Sequence, residues 1–313
     1  KELTNWAGNF TFSTKNLYYP HSINEVQDLV KKYPKVKALG TRHCFNRVAD
    51  SKHNLISLKE MSGDISIDEN AKKVTLSGGM KYGELAPYLD SKGYALHNLA
   101  SLPHISVAGA IATATHGSGW KNGNLSSVVS AMEIITATGD IINLSKEKDG
   151  EKFLAAVVGL GALGIVTKVT LDILPTYQVR QDVYEKLPLE ELKKHFNEIE
   201  ASGYSVSLFT DWQQESINEV WIKTKIEDGK TYNFPSELFG AKAETKNLHP
   251  IAELSAENCT EQMGVPGRWF ERLPHFKMGF TPSSGKELQS EYFVPYHNAV
   301  DAILAIQKLG NKI

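Results

Sequence analysis

The sequence predicts an α+β protein of two domains, and three observations carry that reading. Strand-type segments in the first half are separated by amphipathic helical ones. The pattern changes after Pro175, and the second half groups its helices and strands instead of alternating them. The 313 residues suffice for two domains. The boundary is expected within 175–185, giving one domain over 1–178 and a second over 179–313.

The elements follow in order. Ser22-Ile23-Asn24-Glu25 is a capping-box pattern, and Val26, Leu29 and Val30 continue at helical spacing, so 22–33 is a helix that Pro34 stops. Val36–Leu39 is a short strand running into Gly40. Strands are expected at Leu55–Leu58, Ile65–Asp68 and Val74–Ser77, with Gly78-Gly79 as punctuation before a helix over Tyr82–Lys92. The Ala- and Gly-rich run Ser106–Thr115 reads as a closely packed helix. Met132–Thr138 and Ile141–Leu144 flank Gly139-Asp140 as a hairpin. A helix over 151–158 and a strand over Ile165–Leu174 close the first domain. The second domain is expected to hold a helix at 188–200, strands at Ser205–Trp212 and Glu219–Lys225, long loops over 227–285, a strand at Leu288–Val294 and a helix over 296–309.

Composition narrows the function. Apolar residues make up 41% and charged residues 22%, an ordinary soluble globular balance. A formal charge of −2 and a pI near 6.6 give no basic field for a polyanion, so nucleic acid is not an expected partner. No apolar window reaches the length of a membrane span, and Lys1–Trp6 lacks the pattern of a signal peptide. Cys44 and Cys259 make no disulfide framework, so the cytoplasm is the expected location.

Gly159-Leu160-Gly161-Ala162-Leu163-Gly164 matches the dinucleotide fingerprint, but in the wrong order. A strand should precede it and a helix should follow, whereas a helix precedes and a strand follows. These glycines are expected to let two backbones, or a backbone and a ligand, approach closely.

Two other glycine-bearing loops suit a diphosphate. The first is Gly40-Thr41-Arg42-His43-Cys44-Phe45-Asn46, placed after a strand so that its N–H groups can converge on an anion. The second runs from Ser101-Leu102-Pro103-His104-Ile105-Ser106-Val107-Ala108-Gly109 to Thr113-Ala114-Thr115-His116-Gly117-Ser118-Gly119. Pro103 stiffens its turn, Ser106 is a candidate helix cap, and the small residues at 108–114 leave room for a bulky planar ligand. Ordinary strand-to-loop turning and tight helix packing account for parts of each loop, but poorly for the Ser, Thr, His and Gly run at 113–119. His43 beside Arg42 is a candidate nucleophile when neutral. His43, His104 and His116 do not fall on zinc spacings, so no metal is expected.

These loops resemble those of vanillyl-alcohol-oxidase-type flavoproteins, and most narrowly their alditol (xylitol) oxidase branch. The resemblance also runs through Asn5-Trp6-Ala7-Gly8-Asn9, Leu160–Gly164, Tyr204–Trp212, Asn258-Cys259-Thr260-Glu261-Gln262, Phe280–Gly285 and Glu291-Tyr292. It implies an FAD-binding domain of the vanillyl-alcohol-oxidase (PCMH) type, followed by an α+β substrate domain. It implies that His43 bonds the 8α-methyl of the flavin, and that Gly40, Thr41, Arg42, His43, Cys44, Phe45 and Asn46 form the pyrophosphate loop. Ser101, Ser106, Gly109, Thr113, Ala114, Thr115 and His116 are implied flavin contacts, Ile165 and Val166 a backbone contact near the adenine half, and Ser101 also the catalytic residue touching the substrate alcohol. Cys44 stands where the family commonly has Ser. A second flavin bond is not expected, because family enzymes with two bonds use a cysteine in the second loop, where Ser101 and Leu102 stand here.

The implied activity is oxidation of a primary alcohol of a linear polyol, xylitol or sorbitol, to the aldose, with hydride passing to flavin N5 and O2 reduced to H2O2. A monomer acting on small molecules is expected. Family chains are longer, and their C-terminal segment supplies an acidic residue, an arginine and a lysine to the pocket, so the second domain is expected to be incomplete at its C-terminal end. A lactone oxidase or dehydrogenase of the same fold, or a non-catalytic flavin-binding fragment, are the alternatives.

Overall fold

The computed structural model describes residues 2–61, 63–279 and 287–312. Contacts group the chain into two compact units, one of residues 1–116, 123–175 and 278–290, the other of 117–122, 176–277 and 291–313. Residues 280–285, one of the resembling stretches, lie outside the described residues.

The first unit begins with a small parallel sheet. Asn54–Ile56 is its middle strand, between Leu17–Tyr18 and Val36–Ala38. The expected strand at Leu55–Leu58 is therefore shorter, and Leu58–Glu60 forms a 3-10 turn. Helix Ile23–Lys32 starts where Ser22 Oγ accepts the Glu25 N–H at 3.2 Å. The Glu25 carboxylate reaches back to the His21 N–H at 2.8 Å, one residue earlier than a standard capping box. Val26 and Val30 then pack with Ile56, Leu58, Ile135 and Ile165 in one buried cluster.

An antiparallel sheet of five strands follows, in the order Ile65–Asp68, Lys73–Ser77, Ile165–Asp172, Val129–Ile135, Ile141–Ser145. The expected hairpin forms, turning at Gly139 with φ +83°. In the central strand Ile165, Thr167, Val169 and Leu171 are buried and the intervening residues are not, the period-2 pattern of a strand with one face on a core. Helix Glu151–Val157 precedes the Gly159–Gly164 run and this strand follows it, so the dinucleotide fingerprint lacks its context. At Gly164, φ +139°, a Cβ would lie 2.2 Å from the Ile135 carbonyl oxygen, the close backbone approach expected of these glycines.

Two expectations fail in this unit. The helix over Ser106–Thr115 shrinks to Val107–Ala112, because Ala114 takes φ +55° and the chain leaves the helical region after Thr113. Ser106 precedes that helix, but its hydroxyl makes no capping hydrogen bond.

The second unit is built on a six-stranded sheet. Ser205–Phe209, Ser216–Ile226, Gln178–Pro188, Ala241–Ala243 and Glu237–Leu238 follow in order, and Gly267–Arg268 also pairs with Gln178–Pro188. The strand Gln178–Pro188 is absent from the sequence reading, since its charged and amide side chains hide the alternation. Val179, Gln181 and Val183 are its buried face. Helix Leu189–Glu200, bent at His195, packs Leu189, Leu192 and Ile199 onto Tyr184, Leu187, Ile217, Val220 and Ile222. The strand expected at Leu288–Val294 does not form, and Leu288, Tyr292 and Phe293 stand exposed. An apolar run becomes a strand only against a ladder partner. The final helix does form, as Ala299–Gln307 after a 3-10 turn.

Lys223 is the second unit's least ordinary core residue. It is 1% exposed, and its ammonium donates to the carbonyls of Arg272, Leu273 and Pro274 at the end of the short helix Trp269–Arg272. Burial pushes its pKa well below the usual lysine value. Lys223→Met keeps the volume but removes the ammonium donor from three carbonyls, of which Pro274 O keeps Thr260 Oγ1 at 2.7 Å. The expected loss is about 3 kcal/mol of unfolding free energy, read from the urea midpoint at unchanged m-value.

Candidate functional site

The structure brings the first glycine loop and residues 101–116 of the second side by side within the first unit. The Ser106 N–H donates to Thr41 Oγ1 at 3.2 Å, joining the second loop to the first. A Cβ at Gly40 would sit 2.7 Å from Ser106 Oγ, and one at Gly109 2.6 Å from the same atom. A side chain at either glycine would have to displace that one hydroxyl.

The second loop is held from below by a segment that the sequence reading treats only as punctuation and helix start. Val107 N–H donates to Met80 O at 2.9 Å, Tyr82 N–H to Ile105 O at 3.1 Å and Gly83 N–H to Pro103 O at 2.7 Å. This segment is fixed in turn by Gly78, whose N–H donates to Thr167 O at 2.8 Å. The Gly78-Gly79 pair was the available signal for it.

His43 lies where the loops meet. Its Nδ1 is 3.0 Å from Thr41 Oγ1, and its Nε2 is buried with no hydrogen-bond partner among the described residues. Trp6 stacks on it at 5.2 Å between ring centroids and 25° between planes, and the His104 ring lies 4.8 Å away. Burial, and then the neighbouring His104, Arg42 and Lys81, push the His43 pKa down to about 3. The imidazole is therefore neutral across the physiological range, the form that can act as a nucleophile. Both ring nitrogens of His104 are also buried, with no hydrogen-bond partner among the described residues, and burial followed by Lys81 pushes its pKa down. Unpaired buried polar atoms are costly, and three together around one point mark a place made for a further polar group.

The remaining first-loop residues serve its shape. Arg42 holds φ +66° and its guanidinium donates to Thr4 O at 2.8 Å. Cys44 gives its carbonyl to Asn5 Nδ2 at 3.1 Å, and burial pushes its thiol pKa up, away from the reactive thiolate. Asn46 Oδ1 caps the turn Arg47–Ala49 at Val48 N–H, 2.9 Å. In the second loop Thr113 Oγ1 bonds Gly109 O at 3.1 Å and Thr115 N–H bonds Ala110 O at 3.0 Å, while Ser101 and His116 are exposed. Ile165 and Val166 stand in the five-stranded sheet, not in either loop. The Ile165 side chain is core, and the Val166 carbonyl lies against Gly78. Among the described residues no His, Cys, Asp or Glu group is placed to hold a metal.

A paired strand-and-loop cradle of this kind, on a parallel sheet beside an antiparallel one, defines an FAD-binding flavoprotein fold. Residues 14–145 match the family model described as FAD binding domain. The chain is 43% identical to an alditol oxidase of a Streptomyces species, covering 99% of this chain and 74% of that protein. It is 30% identical to the L-gulonolactone oxidase of Mus musculus over 64% of this chain and 47% of that one. Among solved structures it is similar to cholesterol oxidase from Brevibacterium sterolicum, with a TM-score of 0.64 at 16% identity, over 72% of this chain and 47% of that one, a likeness of fold. The chain spans about three quarters of the alditol oxidase and about half of the lactone oxidase. It belongs to the alditol oxidase family of vanillyl-alcohol-oxidase-type FAD flavoproteins.

The residues present suit the cofactor. The nitrogens of His43 and His104, partnerless among the described residues, and the close approach of the two loops at Gly40 and Gly109 are features of a cradle for a large polar ligand. Among the described residues no helix is long and apolar enough to cross a membrane.

Proposed function

We propose that this protein is an FAD-dependent oxidase of linear polyols, and that His43 holds its cofactor covalently. The observation carrying the reading is the partly buried His43 imidazole where the two glycine loops meet, its Nε2 without a partner among the described residues. The extent of identity to an alditol oxidase supports the substrate class.

When bound, FAD supplies a two-electron acceptor that dioxygen can reoxidise. The chain's own residues hold and orient it. Gly40 and Gly109 let backbone approach the diphosphate, and the N–H groups of 40–46 are its donors. Thr41 fixes the relation between the loops. Ser106 and the run Thr113–His116 line the flavin, and the backbone at Ile165 and Val166 meets the adenine half. Ser101 is the catalytic contact to the substrate hydroxyl. In the overall reaction the primary alcohol loses two electrons and two protons to become the aldehyde of an aldose, and one O2 takes up both pairs as H2O2. The second unit is read as the substrate domain. The free thiols Cys44 and Cys259 suit a reducing compartment, and the enzyme is read as a monomer.

Peroxide release from the gene-encoded protein in air tests the activity. Xylitol or sorbitol is expected to give at least about a hundredfold higher kcat/KM than L-gulono-1,4-lactone, a difference of roughly 2.7 kcal/mol in transition-state binding. Faster turnover of the lactone would move the protein to the lactone-oxidase reading. Turnover with an artificial dye but not with oxygen would make it a dehydrogenase.

A further inference from the structure

The stretch Asn5-Trp6-Ala7-Gly8-Asn9 has no role in the reading so far, and it lies ahead of residues 14–145, which carry the FAD-binding match. Yet it is tied along the whole first loop. Trp6 N–H donates to Arg42 O at 2.7 Å, and Arg42 Nη1 donates to Thr4 O at 2.8 Å. Asn5 Nδ2 donates to Cys44 O at 3.1 Å, and Asn9 Nδ2 to Phe45 O at 3.5 Å. These bonds tie the stretch to residues 42, 44 and 45, on either side of His43.

We propose that this N-terminal strap presets the cofactor loop and that Trp6 is a positioning residue for His43, holding the imidazole plane in which the flavin is attached. The inference rests on the reading of His43 as the attachment point. Two features of the loop require such a strap. Arg42 sits at φ +66°, a conformation that a non-glycine residue holds only when its surroundings impose it. The strap takes both the Arg42 carbonyl and its guanidinium. His43 itself has one hydrogen bond, to Thr41, which fixes one ring nitrogen but leaves the ring free to swing about that bond. The indole face at 25° to the imidazole removes that freedom from one side, and His104 bounds it from another. The charged and titratable groups acting on the ring are Arg42, Lys81 and His104, and among the described residues no carboxylate bonds it.

Orientation matters because attachment is a bond-forming step. An imidazole N–H and a methyl C–H are exchanged for one C–N bond. The two protons and two electrons released pass through the flavin to dioxygen, giving H2O2, with the same acceptor that the oxidase uses. Nucleophile and carbon must meet within a narrow range of distance and angle, and small displacements cost large factors in rate.

The test uses the full chain produced in riboflavin-starved cells, mixed with FAD in air and sampled into acid. Acid-precipitable flavin against time gives the attachment rate. Non-covalent FAD affinity and the melting temperature are measured in parallel. Trp6→Phe keeps a ring face, whereas Trp6→Leu keeps apolar bulk without one. The expected result is attachment within about threefold of wild type for W6F and at least about tenfold slower for W6L, with FAD affinity and melting temperature alike in the two variants. Attachment by W6L at the wild-type rate, or equal slowing in both variants, overturns the inference while leaving the His43 reading intact. Wild type without acid-stable flavin overturns both, and H43A is the blank that separates specific attachment from trapped cofactor.

Discussion

Replacing His43 with alanine is expected to remove every trace of acid-stable flavin. Denatured wild-type protein gives a yellow pellet, whereas H43A gives a colourless pellet and a yellow supernatant. Retention of the bond in H43A would sink the assignment. The environment of the ring adds a pH signature. With its pKa pushed down to about 3 by burial and by His104, Arg42 and Lys81, the ring stays neutral at pH 5. A free imidazole of pKa about 6.5 is roughly 97% protonated there. The attachment rate is therefore expected to hold between pH 8 and pH 5, where an exposed histidine would slow by about thirtyfold.

The same shift has a consequence for stability, and its sign is fixed by which state takes the proton. Between pH 6.5 and 3 the unfolded chain protonates His43 and the folded chain does not. Stability is thus lost as the pH falls through that window. The contribution is about 2 kcal/mol at pH 5, and H43A is expected to lose correspondingly less on acidification before cofactor is added.

Gly78→Ala is expected to have the largest effect on folding. A Cβ there would lie 2.0 Å from the Val166 carbonyl oxygen and 3.1 Å from its carbon, just past the end of the pairing of Lys73–Ser77 with Ile165–Asp172. Its neighbour Gly79 is no looser, since a Cβ there would meet the Leu58 carbonyl oxygen at 2.1 Å. Neither contact is with a side chain that can turn aside, so relief requires a shift of backbone. The expected cost is about 3 kcal/mol or more. Cofactor binding should fall with it, because Met80 O, two residues on, accepts the Val107 N–H beneath the second loop. Gly93→Asn is the control. Gly93, unlike Gly78, has a positive φ, +81°, but nothing lies within 4 Å of its Cβ position and Asn tolerates that conformation, so only a modest penalty is expected there. Thermal melting and FAD titration of both variants decide the matter, and a G78A protein that melts and binds like G93N would show that the sheet can yield.

The legible parts of the sequence were those in which chemistry is local and periodic. The cap at Ser22, the alternation over Ile165–Asp172 and the turn at Gly139 announce themselves within a few residues. The misplaced fingerprint at Gly159–Gly164 could be discounted for the same reason, since its flanks are readable. What could not be read depends on partners distant in sequence. Gln178–Pro188 carries Arg180, Asp182 and Glu185 and becomes a central strand because Ser216–Ile226 pairs along it. Leu288–Val294 has the composition of a strand and remains irregular. Both glycine loops were visible as loops. That Ser106 would stand between Gly40 and Gly109, and not cap the helix after it, needed the fold. Trp6 resting on His43 had no local sign at all, because stacking across 37 positions leaves no pattern in either segment.

The strand pairings also order events during synthesis on the ribosome. The parallel sheet under the first loop is complete once Ile56 has emerged, since Leu17–Tyr18, Val36–Ala38 and Asn54–Ile56 are all its strands. The support of the second loop is not. Lys73–Ser77 finds its central partner only at Ile165–Asp172, and the Gly78 N–H has no acceptor until Thr167 arrives. A nascent chain therefore carries the first loop and its three strands for the whole interval in which the second loop is unanchored. Cofactor capture becomes a late step of biogenesis, and an early exposure of the bare loop is the stage at which chaperone protection or flavin shortage would bear on the yield of active enzyme.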